Sequence, residues 1–129
     1  MVVVDSSVWI DYFNGRETRQ TELLDSLLGQ RELIVGDLIL TEVLQGFRSD
    51  REFRQARRLF LAFPAVAMVG PTLALRAAEN YRRLRRRGIS VRKTIDVLIA
   101  TYCISRRLPL LHSDADFDPM VRHLGLRLP

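Results

Sequence analysis

Short runs of apolar residues alternate along the chain with longer segments in which apolar residues recur every three or four positions. Short apolar runs of this kind are typical of buried strands, whereas the three-to-four-residue spacing is typical of amphipathic helices. The runs predict four strands and a short edge strand at the end of the chain. They are MVVVD (1–5), ELIVG (32–36), AVAMVG (65–70), PLLHS (109–113) and LRL (126–128).

Helix-capping residues and helix breakers bound the segments between these strands. Ser6 or Ser7 is the expected N-cap of the first helix and Asp37 that of the third, because short polar side chains accept hydrogen bonds from a helix's first turn. Gly15 and Gly29 are expected to end the first two helices. Helices are predicted over 6–15, 18–28, 37–47 (stopping near Gly46), 50–63, 71–88 and 90–108, with a short one within 114–125.

Strands of about four residues that alternate with helices and are apolar throughout indicate an α/β fold. We expect a three-layer α/β/α sandwich with a mainly parallel central sheet. A chain of 129 residues has the size of one domain, so residues 1–129 are expected to form a single domain. In such folds, functional sites form beyond the carboxyl ends of the strands.

Composition excludes several classes of protein. Apolar residues make up 47% of the chain, which is too many for a disordered segment. Cys103 is the only cysteine, so an internal disulfide framework and a cysteine zinc site are excluded, and we expect it to be buried. The sequence shows no basic and apolar leader and no apolar run of ~18–20 residues, so we expect a cytoplasmic protein without a membrane span.

The net charge is +5, from 20 basic and 15 acidic residues, and 19 of the 20 basic residues are arginine. Such an excess favours polyanionic partners, because a guanidinium group pairs bidentately with phosphate. In the run RRLRRRGISVRK, Arg83 and Arg87 lie four residues apart on one predicted helix face. Together with Arg92 they are candidate RNA-binding residues. A solvated helix end, which the helix dipole favours, explains the same run equally well.

Acidic residues stand beside apolar segments that are expected to be buried. Asp5 ends the first strand, and Asp114 and Asp116 follow the fourth, so these three are expected at one edge of a parallel sheet. Asp96 and Glu42 interrupt otherwise apolar helices. Each acid alone has an ordinary explanation, as a helix cap or as the partner of an arginine. Their combination predicts a convergent acidic site.

Carboxylates a few ångströms apart repel each other by about 4 kcal/mol per pair at an effective dielectric near 20. They stay ionised together when a cation or a basic partner neutralises them. Ligands that are all oxygens select Mg²⁺ or Mn²⁺ over Zn²⁺, and the two histidines lack a zinc spacing. Water activated by such an ion can attack a phosphodiester. An acidic metal site on a net-basic protein therefore indicates a nucleic-acid substrate.

Four segments, in order along almost the whole chain, resemble the PIN-domain ribonucleases and, within them, the VapC-type toxins of bacterial toxin–antitoxin pairs. The segments are VVVDSSVWI, LTEVLQG, RRRGISVRKTIDVLIATYCI and LPLLHSDADFDPM. The resemblance implies a three-layer α/β/α fold and an endoribonuclease that depends on Mg²⁺ or Mn²⁺. It assigns the catalytic acids to Asp5, Glu42, Asp96, Asp114 and Asp116. All of these except Glu42 are also assigned as metal ligands.

The same resemblance implies further residues and partners. A hydroxyl group after the first aspartate often supports the site, and this position falls on Ser6 and Ser7. We expect Ser7 to be the residue that holds a ligand or a water molecule without binding the metal itself. His112 stands where a threonine is common, and we interpret it as a strand residue first and as a phosphate or water contact second. The family's toxins bind a small antitoxin and commonly form homodimers, which implies toxin–antitoxin hetero-oligomers. The residues that fit either the core or such an interface are Trp9, Tyr12, Phe13, Phe47 and Phe60.

Two other functions fit the same acids. A metal-dependent phosphatase or DNA nuclease would use them on a different substrate. A non-catalytic module that binds RNA or protein would use them to receive a partner's arginine. Cation-dependent hydrolysis, and the substrate on which it occurs, separate these alternatives.

Overall fold

The computed structural model describes all 129 residues, and strands alternate with helices along the chain as the apolar pattern predicts. The strands are β1 (Val2–Val4), β2 (Leu33–Gly36), β3 (Ala65–Val66) and β4 (Leu110–Leu111). The helices are α1 (Ser6–Phe13), α2 (Arg19–Gln30), α3 (Asp37–Leu44), α4 (Asp50–Leu61), α5 (Pro71–Arg86), α6 (Thr94–Arg106) and α7 (Asp118–Leu124). A short 3-10 helix, Ala115–Phe117, precedes α7.

The chain forms two compact units, each built from two segments. Unit 1 comprises residues 1–67 and 111–113, and unit 2 comprises residues 68–110 and 114–129. Unit 1 therefore contains β1 to β3 and helices α1 to α4, together with the end of β4. Unit 2 contains helices α5 and α6, the 3-10 helix and α7.

The strands follow the order β3-β2-β1-β4 in one sheet. Strand β2 pairs in parallel with both β1 and β3, and Val2 of β1 lies opposite Leu33 of β2. Val2, Leu33 and Val35 are all buried, as expected for short parallel strands that are covered on both faces. The backbone N–H of Asp5 donates to the carbonyl of Leu111 at 2.9 Å, so the carboxyl end of β1 lies beside β4.

The aromatic residues that fitted either a core or an interface form one cluster in unit 1. The ring centroid of Trp9 lies 4.6 Å from that of Phe60 and 5.9 Å from that of Phe13. Tyr12 and Phe47 each pack edge-on against Phe13. Trp9 and Phe60 are buried, whereas the other three are half-buried. The cluster therefore packs α1 against α4 and against the loop after α3. Its half-buried members lie at its edge.

In unit 2, α5 packs against α6 along faces rich in apolar residues. Leu84 of α5 and Val97 of α6 are fully buried. Thr101 is also buried, and its hydroxyl donates to the carbonyl of Val97 at 2.6 Å while it accepts from the side-chain amide of Asn80 at 3.1 Å. This pairing satisfies the buried hydroxyl. Cys103 is buried in α6, as its apolar neighbours predict.

The predicted N-caps of two helices are wrong. Asp5 caps α1, since its Oδ2 accepts from the backbone N–H of Ser7 at 3.0 Å, and the predicted caps Ser6 and Ser7 are the first two helical residues. Gly36 caps α3, and Asp37 is its first helical residue. In both places the last residue with an extended backbone, Asp5 or Gly36, takes the cap position, and the helix begins at the next residue.

The end of α2 and the last predicted strand also differ from the structure. Helix α2 continues through Gly29, which was predicted to end it, and stops at Arg31 in the left-handed conformation with φ of 56°. A left-handed residue ends a helix by turning the chain away, and here it is an arginine that does so. Residues 126–128 form no strand, although the backbone N–H of Leu110 donates to the carbonyl of Arg127 at 2.9 Å. No helix has the length and apolar character needed to cross a membrane.

We predict that Phe60→Ala lowers the free energy of unfolding by about 3–5 kcal/mol, because it empties the centre of the aromatic cluster. Phe60 is 1% exposed. Phe53 on the same helix is 36% exposed, so Phe53→Ala is the matched control and costs about 1 kcal/mol or less. Urea unfolding monitored by circular dichroism measures both values. Equal losses in the two variants would contradict a core role for the cluster.

Candidate metal centre

Three of the five candidate acids meet in unit 2. Asp96, Asp114 and Asp116 each offer a carboxylate oxygen, and these oxygens all lie within 4.8 Å of one another. Asp96 lies in the first turn of α6 and is only 4% exposed. Asp114 and Asp116 are half-buried and lie at the start of the 3-10 helix. We call these three residues the acid cluster.

Local backbone geometry positions the two acids that follow β4. Asp114 is the N-cap of the 3-10 helix, and its Oδ1 accepts from the backbone N–H of Asp116 at 2.9 Å. This bond fixes the tight loop and orients the second acid relative to the first. The spacing Asp-X-Asp therefore serves the loop as well as the cluster.

Two cations flank the acid cluster at the start of α6. Nη2 of Arg92 donates to Oδ2 of Asp116 at 2.9 Å, and Nζ of Lys93 lies 3.9 Å from Oδ2 of Asp114. The hydrogen bond and charge of Asp116 raise the pKa of Arg92 above its usual value, with smaller contributions from the charges of Asp114 and Asp96. The two bases offset part of the negative charge of three carboxylates.

The donor set and the spacing of the acid cluster fit one divalent cation. Mg²⁺ holds its oxygen ligands at about 2.0–2.1 Å, so opposite ligands of one ion are about 4.2 Å apart. The cluster's oxygens, all within 4.8 Å of one another, need only small side-chain movements or a bridging water to reach this distance. All three donors are hard carboxylate oxygens, which favour Mg²⁺ or Mn²⁺ over zinc. Exposed acids are common without a metal, but here one carboxylate is buried.

The other two candidate acids, Asp5 and Glu42, lie in unit 1. Asp5 directly follows β1 and is 3% exposed. Its Oδ2 accepts from the backbone N–H of Ser7 at 3.0 Å and from the Ser7 hydroxyl at 2.6 Å. The same hydroxyl accepts from the backbone N–H of Ser113 at 3.1 Å. Ser7 therefore links the carboxylate after β1 to the chain after β4.

Glu42 is half-buried on α3 and is held by the other serine. The Ser6 hydroxyl donates to Oε1 of Glu42 at 3.2 Å. Neighbouring serines thus hold different acids, because successive residues at a helix start point in different directions. Glu42 also lines a groove of about 430 Å³ with Val43 and Phe47, so its side chain is accessible.

Sequence reasoning ranked one serine too low and missed another that contacts the supports of the acids. Ser6 was ranked below Ser7, yet it bonds Glu42. Ser113 bonds Ser7 through its backbone, and its hydroxyl donates weakly to Asp11 at 3.4 Å. The position of a serine immediately before Asp114 was the only available signal for Ser113.

The structure also places the candidate RNA-binding arginines and His112. Arg83 is exposed on α5, but that helix ends at Arg86, so Arg87 is the residue that follows the helix and not part of a helical stripe. His112 is half-buried and directly follows β4, which is shorter than predicted. Arg92, predicted to bind RNA, donates to Asp116 in this structure.

Comparison with known proteins identifies the family to which this fold and these acids belong. The family model for the PIN domain matches residues 2–122. Ribonuclease VapC11 of Mycobacterium tuberculosis and VapC ribonuclease Mb1587 of Mycobacterium bovis are each 31% identical over 130 residues. These alignments cover 98% of this chain and 96% of each relative.

Solved structures share the fold at low sequence identity. VapBC2 from Rickettsia felis, solved with a DNA fragment from its promoter, has a TM-score of 0.78 and 16% identity, and the match covers 100% of this chain and 98% of that one. DNA-bound VapBC from Salmonella typhimurium has a TM-score of 0.76 at 17% identity, covering 100% and 98%. VapC20 of Mycobacterium tuberculosis, a toxin that cleaves the sarcin-ricin loop, has a TM-score of 0.67 at 15% identity, covering 92% and 93%.

The chain belongs to the PIN-domain family. Within that family its full length is similar to the VapC ribonucleases. The resemblance read from the four sequence segments is confirmed, and so is the predicted α/β/α fold with a parallel sheet.

We predict that Asp5 has a structural role that can be separated from its charge. Asp5→Ala removes the cap of α1 and the partner of the Ser7 hydroxyl, and we expect it to lower the free energy of unfolding by about 1–2 kcal/mol. Asp5→Asn keeps a capping oxygen, so we expect a loss below about 0.5 kcal/mol. Urea unfolding of the two variants measures the difference. An equal loss for alanine and asparagine would show that Asp5 does not act as a cap.

Proposed function

We propose that this protein is an endoribonuclease that depends on Mg²⁺ or Mn²⁺ and acts as the toxin of a toxin–antitoxin pair. The observation that carries the proposal is the acid cluster, with one buried carboxylate and three oxygens within 4.8 Å. The PIN family match and the VapC ribonucleases, which are similar along the full length, supply the reaction class. The net charge of +5 suits a polyanionic substrate.

The acids of the cluster would hold the metal. Asp96 offers a buried carboxylate on a rigid helix, and Asp114 and Asp116 offer two more from a loop fixed by their own hydrogen bond. When bound, a divalent ion supplies an activated water for attack on the phosphodiester and stabilises charge on the leaving oxygen. The protein's own contribution is to hold its ligand oxygens in place with little reorganisation.

We propose that Asp5 and Glu42 serve the same reaction. The family resemblance assigns both to the catalytic acids, with Asp5 as a metal ligand. In unit 1 each is held by a serine, Ser7 for Asp5 and Ser6 for Glu42, which suits residues whose orientation matters. This proposal treats residues 1–129 as one PIN domain.

We propose RNA and a small antitoxin protein as partners. The structurally similar proteins include VapBC toxin–antitoxin complexes from two organisms and a toxin–antitoxin complex from Klebsiella pneumoniae. A hetero-oligomer with an antitoxin, built on a toxin homodimer, is the assembly that follows from the family. An RNA-cleaving toxin meets its substrate in the cytoplasm, which is where we place its action.

We predict that Asp96→Asn abolishes cation-dependent RNA cleavage, with a loss of at least about 100-fold, because it removes the charge of a ligand while keeping its shape. Asp118→Asn is the matched control, since Asp118 is an exposed acid in the same unit, outside the cluster. Cleavage of a labelled RNA with Mg²⁺, Mn²⁺ or chelator measures both. Cleavage by Asp96→Asn at the rate of Asp118→Asn would rule out the proposed site.

The same assay on other substrates tests the alternative functions. Faster hydrolysis of DNA or of a small phosphate ester than of RNA would favour a DNA nuclease or a phosphatase. RNA binding without hydrolysis in any divalent cation would favour a non-catalytic module. Mapping RNA ends in cells that express the wild type or Asp96→Asn would then identify the RNA that is cut.

We predict that Arg83→Gln with Arg87→Gln weakens RNA binding and reduces its salt dependence. Each lost phosphate contact on single-stranded RNA lowers the slope of log K against log salt by about 0.7. The charge-matched control pairs two other exposed arginines, Arg19→Gln with Arg76→Gln. Fluorescence anisotropy with labelled RNA in chelator, which prevents cleavage, gives the slopes. A solvated helix end without RNA contact would give equal slopes for both double variants.

A further inference from the structure

Arg92 makes a hydrogen-bonded contact with Asp116 of the acid cluster. Nη2 of Arg92 lies 2.9 Å from Oδ2 of Asp116, which is a hydrogen-bonded ion pair with good geometry. The two residues are 24 positions apart in the sequence, so the pair forms only in the folded protein. The carboxylate that Arg92 holds is one of three whose oxygens fit a divalent cation.

This ion pair is positioned to break and re-form. The side chain of Arg92 is 75% exposed and that of Asp116 is 25% exposed. Exposed ion pairs contribute little to stability, because water solvates both partners after separation. Arg92 also lies before α6 begins, outside regular secondary structure, so its side chain can leave without disturbing the helix.

A metal ion and Arg92 need the same carboxylate. A divalent cation that bound Asp116 would compete with Arg92 for the carboxylate to which Arg92 donates. A cation and a guanidinium group on the same carboxylate would also repel each other. Lys93 interacts more weakly with the cluster, because its Nζ is 3.9 Å from Oδ2 of Asp114, which is too long for a hydrogen bond. Arg92 is therefore the cation in closest competition with the metal.

We infer that Arg92 is an internal competitor of the metal ion, which holds Asp116 while the metal is absent and is displaced when it binds. The inference rests on the proposed metal-dependent function and adds a residue that sets metal affinity. Arg92 offsets part of the negative charge of the acid cluster in the metal-free protein and so lowers the apparent affinity for the ion. It also makes an arginine available beside the site only after the metal has bound.

The test is the affinity of the purified full-length protein for Mn²⁺, measured by isothermal titration calorimetry in the absence of RNA. We expect Arg92→Gln to bind Mn²⁺ roughly two- to fivefold more tightly than the wild type, because an exposed ion pair no longer competes. Arg92→Lys keeps the charge but cannot reproduce the same hydrogen bond, and should lie between the two. Arg76→Gln, which removes an exposed arginine from α5 in the same unit, is the charge-matched control and should bind as the wild type does.

The outcomes separate this inference from the proposed function. If the wild type binds Mn²⁺ and Arg92→Gln binds it equally or more weakly, the competitor role is overturned and the metal site stands. If Arg76→Gln gains as much affinity as Arg92→Gln, only net charge matters, and the specific role is again overturned. If neither the wild type nor Arg92→Gln binds Mn²⁺, the metal-dependent function itself is wrong. Unfolding curves of the four proteins check that each is folded.

Discussion

Repulsion between carboxylates is the constraint on which the arrangement in unit 2 depends. Three carboxylate oxygens within 4.8 Å of one another, one of them on a buried residue, cost several kcal/mol unless positive groups compensate them. Arg92 and Lys93 supply two positive charges from the segment just before α6. The sequence Val-Arg-Lys-Thr-Ile-Asp thus places two bases just before α6 and an acid within its first turn. These two bases therefore lower the cost of holding three carboxylates together in the folded protein.

The acids are also stabilised by the backbone around them. Asp5 caps α1, and Asp114 caps the 3-10 helix, so each accepts from a backbone N–H that would otherwise lack a partner. Asp96 lies in the first turn of α6, where the helix dipole favours a negative charge. Three acids from distant segments therefore use one device, the amino end of a helix. The same geometry that lowers the cost of each charge also fixes its direction.

Much of this organisation could be predicted from the sequence, and the failures have physical reasons. The acids could be proposed as candidates because each stands beside an apolar run, and strand ends in a parallel fold are common places for functional sites. The structure brings three of the five, Asp96, Asp114 and Asp116, into one cluster. The cap of α1 was misplaced because three successive polar residues, Asp5, Ser6 and Ser7, suit the same position. The cap of α3 was misplaced because Gly36 takes that position without a side-chain hydrogen bond. The end of α2 at Arg31 was missed because a left-handed arginine has no signal in the sequence. The pairs Arg92–Asp116 and Ser6–Glu42 were out of reach, since contacts between side chains 24 and 36 positions apart depend on the completed fold.

The dual use of Asp5 bears on how activity is inferred across a family. Folding alone would favour a small polar residue at this position, because the first helix needs its cap whether or not the protein cuts RNA. A descendant that lost catalysis would therefore have reason to retain Asp5 long after the chemistry had gone. An aspartate after the first strand is thus weak evidence that a relative is an active nuclease. Among the acids described, those that do not cap a helix would be substituted first after catalysis was lost. Their presence is therefore better evidence that a relative is an active enzyme.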